Sequence, residues 1–375
     1  MTRVVLFAAG GTAGHVVPAI AVADELSRSG LDVVPVFVGV EGRLEDRLVP
    51  SAGYPLHHVP AVPFVRRPSP RLLRMPSAML RAEAQAVRIA RETGAVGVMA
   101  FGGYVSFPAA RAARRLGLPL VLHEQNSVPG LSNRIAARWA ERVAVSFAGT
   151  VERMRRPERC VVTGSPVAQH LHGLDRASRR GPACSRLELD PDLPTVLVFG
   201  GSQGARSINT AVVESFARWR ELGLQLVHVT GAAGFEPTLE AWRAAAAGAP
   251  RGSVVEYLDD MADAYAVADL VVCRAGATSV AELAAVGLPS VLVPYPNAAG
   301  DHQLHNARSL ERVGAAVVLR DGDLARGRLP DLVAELLDDR PRLSRMGAAA
   351  RAWSRPEAAR AIARVLVDVL DREDV

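Results

Sequence analysis

Short apolar runs alternate along the first half of the chain with segments in which apolar residues recur at the spacing of an α-helix. The strand-like runs lie at residues 3–9, 32–39, 95–100 and 118–122. A glycine-rich turn follows the first run and leads into a predicted helix from about Val16 to Arg28. Pro18 falls in the first turn of this helix, where a missing N–H breaks no hydrogen bond. The alternation predicts a parallel sheet covered by helices on both faces.

The second half repeats this order from residue 194. PTVLVFG predicts a strand, GGSQGA a turn, and RSINTAVVESFARWREL a helix with apolar residues at helical spacing. Residues 170–194, between the two halves, are polar and contain proline, which predicts a loose connector rather than a packed element. At 375 residues the chain is also longer than one hydrophobic core usually serves.

We therefore predict an α/β fold of two doubly wound, Rossmann-like domains with parallel sheets. The first domain spans residues 1–165 and the second 166–353, and a C-terminal helix at about 354–375 is expected to pack back on the first. Open α/β sheets bind ligands beyond the carboxyl ends of their strands, so we expect the glycine-rich turns to face a cleft between the domains. These turns lie at residues 10–15, 101–104, 200–205 and 274–278.

The charge is unevenly divided between the halves. Residues 1–165 carry 21 Arg against 12 Asp and Glu, whereas residues 166–375 carry 23 against 27. A basic half attracts nucleic acid, an anionic membrane surface or a phosphorylated substrate. Aromatic residues make up only 5% of the chain, so there are few platforms for stacking bases and we expect no nucleic-acid partner. The chain contains no lysine, which excludes a phosphate loop that depends on lysine.

Cysteine usage and the first residues indicate the compartment. Cys160, Cys184 and Cys273 form no CxxC pair, and the chain starts with the strand-like RVVLFAA rather than a charged and then apolar leader. These features predict a reducing, cytoplasmic setting. No apolar run reaches the ~18 residues of a spanning helix, so any membrane contact is expected to be peripheral.

The turn GGTAGH at residues 10–15 joins a strand to a helix. It lacks the lysine of GxxxxGK[ST] and the glycine spacing of GxGxxG, so the two common nucleotide fingerprints are excluded. The backbone N–H groups at the start of the helix still form an anion site. His15 is either a capping or core histidine or, at the mouth of a cleft, a proton acceptor, because the ordinary pKa of histidine is about 6.5.

Two turns of the second half offer further polar groups. GGSQGA and RAGATSVAEL (274–283) each lead from a strand into a helix, which indicates anion recognition. Glu282 in the second of these motifs either complements the helix dipole or accepts hydrogen bonds from a ribose diol.

The motif GDHQLHNA at residues 300–307 is unusually polar. His302 and His305 have no further ligand cluster beside them, so we predict no metal site there. Asp301 is interpreted either as a helix N-cap or, with its neighbours, as part of a grip on a sugar.

HEQNSVPGLSNR at residues 123–134 follows a predicted strand. A turn accounts for Ser127 to Gly130, but it leaves Glu124, Gln125 and Asn126 unexplained.

Residues 60–80 contain four arginines, no acidic residue, and apolar side chains among prolines. They form either a solvated loop or a peripheral membrane site, in which each basic residue contributes roughly 1 kcal/mol near anionic lipid. The predicted membrane patch consists of Phe64, Arg66, Arg67, Arg71, Leu72, Leu73 and Arg74.

Six motifs in a fixed order carry a resemblance to a known family. GGTAGH, FGGYVSFPA, LHEQNS, GGSQGAR, RAGATSVAEL and DHQLHNA together resemble the MurG family of glycosyltransferase family 28, over residues 3 to about 320. The resemblance implies the two-domain GT-B fold and an inverting hexosyltransferase of peptidoglycan synthesis that uses no cofactor. Its implied substrates are UDP-GlcNAc and an undecaprenyl-diphosphate-linked muramyl pentapeptide at the cytoplasmic face of the cell membrane.

In the first domain, the resemblance implies that Thr12, Ala13 and Gly14 lie beside donor and acceptor and that Asn126 contacts the substrate. His15 would remove the proton from the muramyl 4-hydroxyl as that hydroxyl attacks the anomeric carbon. The residues assigned to the acceptor diphosphate are Gly14, His15, Gly103 and Tyr104.

In the second domain, the resemblance assigns Ser202 to the donor diphosphate and the backbone of Leu258 to uracil. His302 and Gln303 would hold the GlcNAc hydroxyls, and Glu282 would take the ribose. The residues expected to line the nucleotide are Ala277, Thr278, Ser279, Val280, Ala281 and Glu282.

Two positions depart from the family pattern. Ala13 stands where a glycine is frequent, and Ala168 stands where some members place an arginine that contacts substrate. The second departure leaves open a related transferase with another lipid-diphosphate acceptor. The sequence is also compatible with a UDP-GlcNAc 2-epimerase of the same fold, a metal-dependent transferase or a binding protein without turnover, although DPD (190–192) and DGD (321–323) are weak candidates for an acidic metal motif.

Overall fold

The computed structural model describes residues 3–60, 71–201, 204–245, 248–258 and 260–372, and at 71–74 it describes the backbone. The chain forms two compact units. The N-terminal unit comprises Met1–Ala168 and Arg355–Val375, and the C-terminal unit comprises Gln169–Ser354.

Thirteen strands lie within the described residues, all of them short. They are β1 Arg3–Ala8, β2 Val33–Gly39, β3 Leu56–His58, β4 Ala95–Ala100, β5 Leu120–Glu124, β6 Arg142–Val145, β7 Cys160–Val162, β8 Thr195–Phe199, β9 Gln225–Val229, β10 Arg251–Val255, β11 Leu270–Cys273, β12 Ser290–Leu292 and β13 Ala316–Val318.

Helices fill most of the connections between these strands. They are α1 Ala13–Arg28, α2 Glu45–Ser51, α3 Arg71–Glu92, α4 Gly103–Leu116, α5 Leu131–Ala136, α6 Arg176–Arg186, α7 Arg206–Glu214, α8 Phe216–Glu221, α9 Ala232–Ala245, α10 Ala262–Val267, α11 Ala277–Val286, α12 His302–Glu311, α13 Asp321–Leu324, α14 Arg328–Asp338, α15 Arg340–Trp353 and α16 Ala358–Leu370. Short 3₁₀ turns occur at Ala148–Arg153, Pro157–Arg159, Gln169–Leu171 and Ala299–Asp301.

The N-terminal unit contains a parallel sheet of seven strands in the order β3-β2-β1-β4-β5-β6-β7. Successive residues of β1 enter different cores: Leu6 packs with residues of α3 and α4, whereas Phe7 packs with residues of α1 and α16. This alternation follows from the two-residue period of a strand. Both faces of the sheet are therefore buried, which explains why its strands are apolar throughout.

The C-terminal unit repeats this plan with a parallel sheet of six strands in the order β10-β9-β8-β11-β12-β13. Val198, Val272 and Val291, on three of its four inner strands, belong to one core together with the buried Trp219 of α8. The predicted α/β fold of two doubly wound, Rossmann-like sheets is confirmed.

The prediction of a loose connector at residues 170–194 is wrong. Much of this segment is the helix α6, in which Cys184 is buried. Arginines of α6 donate to carbonyl groups at the end of α10: Arg176 to that of Tyr265 at 3.1 Å, and Arg180 to that of Val267 at 2.6 Å. The polar composition belongs to a helix that packs through arginines rather than through an apolar face.

Two predicted helices have different limits from those expected. The first begins at Ala13 rather than Val16, so His15 lies in its first turn. The helix expected after GGSQGA is divided at Ser215 into α7 and α8, and the buried Ser215 hydroxyl donates to the Ala211 carbonyl at 2.6 Å. A hydroxyl that competes for a carbonyl one turn back commonly bends a helix.

The C-terminal helix α16 packs against α1 within the N-terminal unit. Ile362 and Leu366 are buried in the core that contains Phe7, and Arg360 pairs with Glu25 of α1 at 3.3 Å. The Arg360 side chain of this pair is half exposed, so we attribute most of the attachment of α16 to its apolar face.

Replacing Leu366 by alanine tests this attribution. We expect the free energy of unfolding to fall by about 2–5 kcal/mol, because a buried leucine loses its contacts and leaves a cavity. Urea denaturation followed by circular dichroism measures the loss. Arg364→Ala, on the exposed face of the same helix, is the matched control and should change stability by less than about 0.5 kcal/mol. Equal losses in both variants would contradict the attribution.

Candidate functional site

Two glycine-rich turns meet at the carboxyl edge of the N-terminal sheet. β1 and β4 are neighbours with Ala8 opposite Ala100, so the turns that follow them leave the sheet side by side. At Gly103 the backbone has φ +78°, and a Cβ would lie 2.5 Å from the carbonyl oxygen of Gly10. Only glycine accommodates both this conformation and this close approach. The sequence GGTAGH is therefore packed directly on FGGY.

His15 lies between these turns. Its Nδ1 is 3.0 Å from the Thr12 hydroxyl, and a Cβ on Gly102 would lie 2.9 Å from its Cδ2 and 3.1 Å from its Nε2. The Tyr104 ring is also close, because a Cβ on Gly11 would be 2.6 Å from its Cε1. The imidazole is partly buried and is oriented by its neighbours. The structure thus brings together the residues assigned to the acceptor diphosphate, which are Gly14, His15, Gly103 and Tyr104.

Glu45 is a residue of this region that the sequence did not reveal. Its side chain is fully buried below the first turn, where it accepts hydrogen bonds from the N–H of Gly11 at 3.2 Å and of Val40 at 3.1 Å. Burial, followed by the charge of Glu45, raises the pKa of Tyr104. In the sequence Glu45 is an ordinary acidic residue at the start of a short helix, a position that the helix dipole alone explains.

Glu124 organises the loop after β5. Its buried carboxylate accepts the N–H groups of Asn126 and Gly130, each at 3.0 Å, and the side-chain amide of Asn133 at 2.9 Å. Burial raises the pKa of Glu124, although these hydrogen bonds act in the opposite direction. A turn alone did not explain Glu124, Gln125 and Asn126. Glu124 now has an explanation, because its hydrogen bonds hold together the loop that carries Asn126.

The two neighbours of Glu124 contact the same edge of the sheet. The Gln125 side chain donates to the Phe101 carbonyl at 2.5 Å, which ties the loop to the turn beside His15. Burial lowers the pKa of His123 to about 3, so this imidazole is neutral at physiological pH. His123 is consequently a poor proton acceptor.

In the C-terminal unit, α11 begins at Ala277 immediately after the turn that ends β11. Glu282 is the sixth residue of this helix and lies beyond its first turn, so the dipole interpretation does not account for it. Its Oε2 accepts the Tyr265 hydroxyl at 2.7 Å. Burial raises the pKa of Glu282 to about 7, while part of the residue remains exposed.

The other α11 residues assigned to the nucleotide divide into two groups. The side chains of Ala277, Val280 and Ala281 are buried in the unit. Among the described residues, the enclosed Thr278 hydroxyl has no hydrogen-bond partner, and Ser279 is partly exposed. The first N–H groups of α11 have no acceptor within the helix. The main hydrogen-bond donors at the N-terminus of α11 are therefore backbone N–H groups rather than side chains.

Arg274 joins three elements around this turn and was not singled out from the sequence. Its guanidinium donates to Asp321 at 2.5 Å and to the Ser207 hydroxyl at 2.7 Å. DGD therefore contains the partner of a buried arginine at the start of α13, rather than a simple turn. Because Ser207 lies in the first turn of α7, the arginine connects the ends of two neighbouring glycine-rich turns.

The DHQ motif lies at the start of α12. Gln303 Oε1 accepts the N–H of Tyr295 at 2.9 Å, and His302 Nδ1 is 3.0 Å from the Ala299 carbonyl. A neutral His302 therefore carries its proton on Nδ1 and is an acceptor at Nε2. Asp301 occupies the N-cap position with φ +53°, but its side chain makes no capping hydrogen bond, so the capping interpretation is wrong.

The remaining predicted positions are Leu258, Ser202 and the residues of the membrane patch. Leu258 follows β10 and is partly buried. Ser202, Phe64, Arg66 and Arg67 lie outside the described residues. The first turn of α3 consists of the remaining patch residues, for which the structure describes the backbone: Arg71, Leu72, Leu73 and Arg74. Within the described ranges, no helix is long and apolar enough to cross a membrane, and no group of three or more His, Cys, Asp or Glu side chains is suited to a metal ion.

Two glycines of α4 test whether the fold needs the contact between the two turns. Gly103 is the first residue of this helix, and Gly117 is its C-cap. Gly103→Ala and Gly117→Ala both place a side chain at positive φ, at a cost of roughly 1–2 kcal/mol. A Cβ at Gly117 has open space around it, whereas at Gly103 it overlaps the Gly10 carbonyl. We expect Gly103→Ala to lose clearly more stability in urea denaturation. Equal losses would show that the turns do not need this close contact.

The comparisons with known proteins agree with the resemblance. The model of the glycosyltransferase family 28 N-terminal domain matches residues 5–145, and that of the C-terminal domain matches residues 195–365. The UDP-N-acetylglucosamine--N-acetylmuramyl-(pentapeptide) pyrophosphoryl-undecaprenol N-acetylglucosamine transferase of Nocardioides sp. is 44% identical over 366 residues, which are 97% of this chain and 98% of the relative. The protein of the same name from Acidothermus cellulolyticus is 44% identical over 354 residues, 94% of each chain.

Solved structures extend the comparison. The crystal structure of Acinetobacter baumannii MurG matches with a TM-score of 0.74 at 30% identity and covers 98% of this chain and 100% of its own. The UDP-GlcNAc 2-epimerase of Neisseria meningitidis, solved with UDP-GlcNAc, matches with a TM-score of 0.69 at 11% identity, covering 98% of this chain and all of its own. The second match shows a common fold alone. On the strength of the full-length relatives, the chain belongs to the MurG family of glycosyltransferase family 28.

Proposed function

We propose that this protein transfers GlcNAc from UDP-GlcNAc to the 4-hydroxyl of a muramyl pentapeptide linked to undecaprenyl diphosphate, with inversion at the anomeric carbon. Relatives named for this activity cover almost the whole chain, which supports both substrates. The observation that carries the proposal is the position of His15 in the first turn of α1, held between two glycine-rich turns.

On the acceptor side, His15 removes the proton of the attacking hydroxyl. Its contact with the Thr12 hydroxyl at 3.0 Å orients the ring, and its partial exposure leaves the imidazole accessible to a substrate. The neighbouring N–H groups at the start of α1, including that of Gly14, receive the acceptor diphosphate. Tyr104, whose pKa is raised by burial, remains a neutral hydroxyl donor beside it.

On the donor side, Glu282 accepts hydrogen bonds from the ribose. His302 and Gln303 bind the hydroxyls of GlcNAc. The departing UDP carries negative charge, and the N–H groups at the start of α11 stabilise it as the bond breaks. Thr278 supports this assignment, because its enclosed hydroxyl has no partner among the described residues. Ser202 and the Leu258 backbone complete the proposed contacts to diphosphate and uracil. The proposal requires no metal or cofactor.

A related transferase with another lipid-diphosphate acceptor is the second candidate. Ala168 is the last residue of the first segment of the N-terminal unit, and it is partly exposed. Some members of the family are expected to have an arginine at this position. The side chain of an alanine cannot bind an acceptor through charge or through donated hydrogen bonds. Activity with a lipid-linked sugar other than the muramyl peptide, and none with the muramyl peptide, would favour this candidate.

We further propose that the protein acts as a peripheral protein on the cytoplasmic face of the cell membrane. Leu80 of α3 is 60% exposed and Leu131 of α5 is 56% exposed, and exposed arginines follow them at Arg81 and Arg134. Exposed apolar side chains beside arginines are the combination that anionic lipid surfaces bind. Through lipid-linked cell-wall precursors, the activity would contribute to cell shape and division.

Transfer and the role of His15 are tested together by product analysis. Wild-type protein incubated with UDP-GlcNAc and a muramyl-diphosphate lipid analogue should yield the lipid-linked disaccharide and UDP, also in EDTA. His15→Ala should lower turnover by at least about 100-fold, the lower range for a general base, while UDP binding measured by calorimetry stays within twofold. His170→Ala, an exposed histidine of the C-terminal unit, is the control and should retain full turnover.

Three results would contradict the proposal in different ways. Near-normal turnover by His15→Ala would remove the proton acceptor. A 2-epimerised sugar formed without any acceptor would indicate an epimerase. Loss of activity in EDTA that returns with a divalent cation would indicate a metal-dependent transferase.

Membrane binding is tested by sedimentation with vesicles that contain anionic lipid. Replacing Arg66, Arg67, Arg71 and Arg74 together by serine should reduce the bound fraction strongly, because each arginine contributes roughly 1 kcal/mol near such a surface. The matched control replaces four exposed arginines of the C-terminal unit by serine, namely Arg218, Arg220, Arg243 and Arg345. Both variants lose the same charge. Unchanged binding by the first variant, or equal losses in both, would overturn the predicted patch.

A further inference from the structure

Tyr265 is the hydrogen-bond partner of Glu282, and it packs against several other elements of the C-terminal unit. The residue is fully buried in α10, and its hydroxyl donates to Glu282 Oε2 at 2.7 Å. Its ring packs edge to face against Phe199 at the end of β8, with 6.4 Å between the ring centroids. Its carbonyl accepts a hydrogen bond from Arg176 of α6 at 3.1 Å. Contacts of its hydroxyl, its ring and its carbonyl with three other elements thus hold Tyr265 in one position.

The surroundings of Glu282 make this hydrogen bond important. In the described part of the chain, no arginine or histidine forms an ion pair with Glu282; the titratable groups that face it are Tyr265 and Cys273. Burial raises the pKa of both of these groups well above their ordinary values, so neither brings a charge at neutral pH. The Tyr265 hydroxyl is therefore the group that supports the negative charge of this carboxylate.

The same hydrogen bond determines how the carboxylate is presented. A carboxylate has two oxygens with about four acceptor sites, and a ribose diol needs two of them. With Oε2 anchored by a rigid tyrosine, rotation of the carboxylate is restricted, and the remaining acceptor sites keep one direction. A carboxylate without this anchor would lose conformational freedom on binding, at a cost in affinity.

We propose that Tyr265 is a positioning residue for ribonucleotide recognition: through its hydroxyl it orients the Glu282 carboxylate, so that the site distinguishes a ribose from a 2′-deoxyribose. The inference rests on the proposed role of Glu282 in binding the donor. It extends that role to Tyr265, which lies 17 positions earlier in the chain and is fully buried.

The pH dependence follows from the ionisation of Glu282. Burial raises its pKa to about 7 and the Tyr265 hydrogen bond lowers it, so the carboxylate gains charge as the pH rises through about 7. The ionised form accepts both ribose hydroxyls, and UDP affinity should therefore increase from pH 6 to pH 8. Removing the tyrosine hydroxyl raises the pKa of Glu282 further, which moves this increase to higher pH.

Calorimetric binding of UDP and of 2′-deoxy-UDP, from pH 6 to pH 9, tests the inference. Wild-type protein should bind UDP more tightly than the deoxy nucleotide, by about tenfold for a hydrogen bond to a charged group. In Tyr265→Phe this preference should shrink to less than about threefold, and the midpoint of the pH dependence should move upward. Tyr54→Phe, which removes a hydroxyl in the N-terminal unit, should retain the wild-type preference and midpoint.

The preference for ribose separates positioning from a structural role. General loosening of the unit would weaken both nucleotides equally and leave the preference and the midpoint unchanged, and that result in Tyr265→Phe would overturn the inference. If Tyr265→Phe fails to fold, 3-fluorotyrosine at position 265 keeps the shape and donates more strongly. It should move the midpoint to lower pH, and an unmoved midpoint would equally overturn the inference.

The outcomes also distinguish this inference from the proposed function. Wild-type protein that binds UDP without preferring it to 2′-deoxy-UDP would overturn the inference, whereas product analysis could still demonstrate transfer. Absence of UDP binding by the wild-type protein would instead remove the donor on which both depend.

Discussion

Both units depend on one constraint of parallel sheets, which is that neighbouring strands end at the same edge. In the N-terminal unit Ala8 is opposite Ala100, so the chain must leave two adjacent strands within a few ångströms. Helices begin almost at once after each strand, and little space remains for side chains. The close approach of Gly103 to the Gly10 carbonyl and the packing of the His15 ring on Gly102 are consequences of this crowding. The glycines are thus required by the sheet before any ligand is considered.

Buried carboxylates support the loops at these edges, each in a different way. Glu45 accepts the N–H of Gly11 in the first turn and the N–H of Val40, directly after β2. Glu124 accepts the N–H groups of its own loop, which gives a polar segment an internal scaffold. Glu282 has a tyrosine hydroxyl as its partner and remains partly exposed. A carboxylate whose acceptor sites are filled by backbone stabilises a loop, whereas one that keeps acceptor sites is suited to binding a ligand.

Particular residues show how far the sequence could be interpreted. The apolar runs predicted β1, β2, β4 and β5 closely, because strands buried on both faces must be apolar throughout. The sequence of residues 170–194 predicts a loop where α6 forms, because α6 packs through arginines that bind carbonyl groups of α10, and such a surface has the composition of a loop. No local pattern indicates the roles of Glu45 and Tyr265 for a related reason: Gly11, in the turn that Glu45 supports, is 34 residues from Glu45, and Glu282 is 17 residues from Tyr265.

The sequence by itself determined the two repeated α/β units, the order of the glycine-rich turns and the family, since these depend on local periodicity and on ordered motifs. The tertiary structure decided which groups support those motifs. It brought the Tyr265 hydroxyl to Glu282, the Glu45 carboxylate to the N–H of Gly11, and the His15 ring against Gly102 of FGGY, which is far from His15 in the sequence. Hydrogen bonds and close packing between distant residues form only when the sheet aligns its strand ends, and the linear pattern carries no record of that alignment.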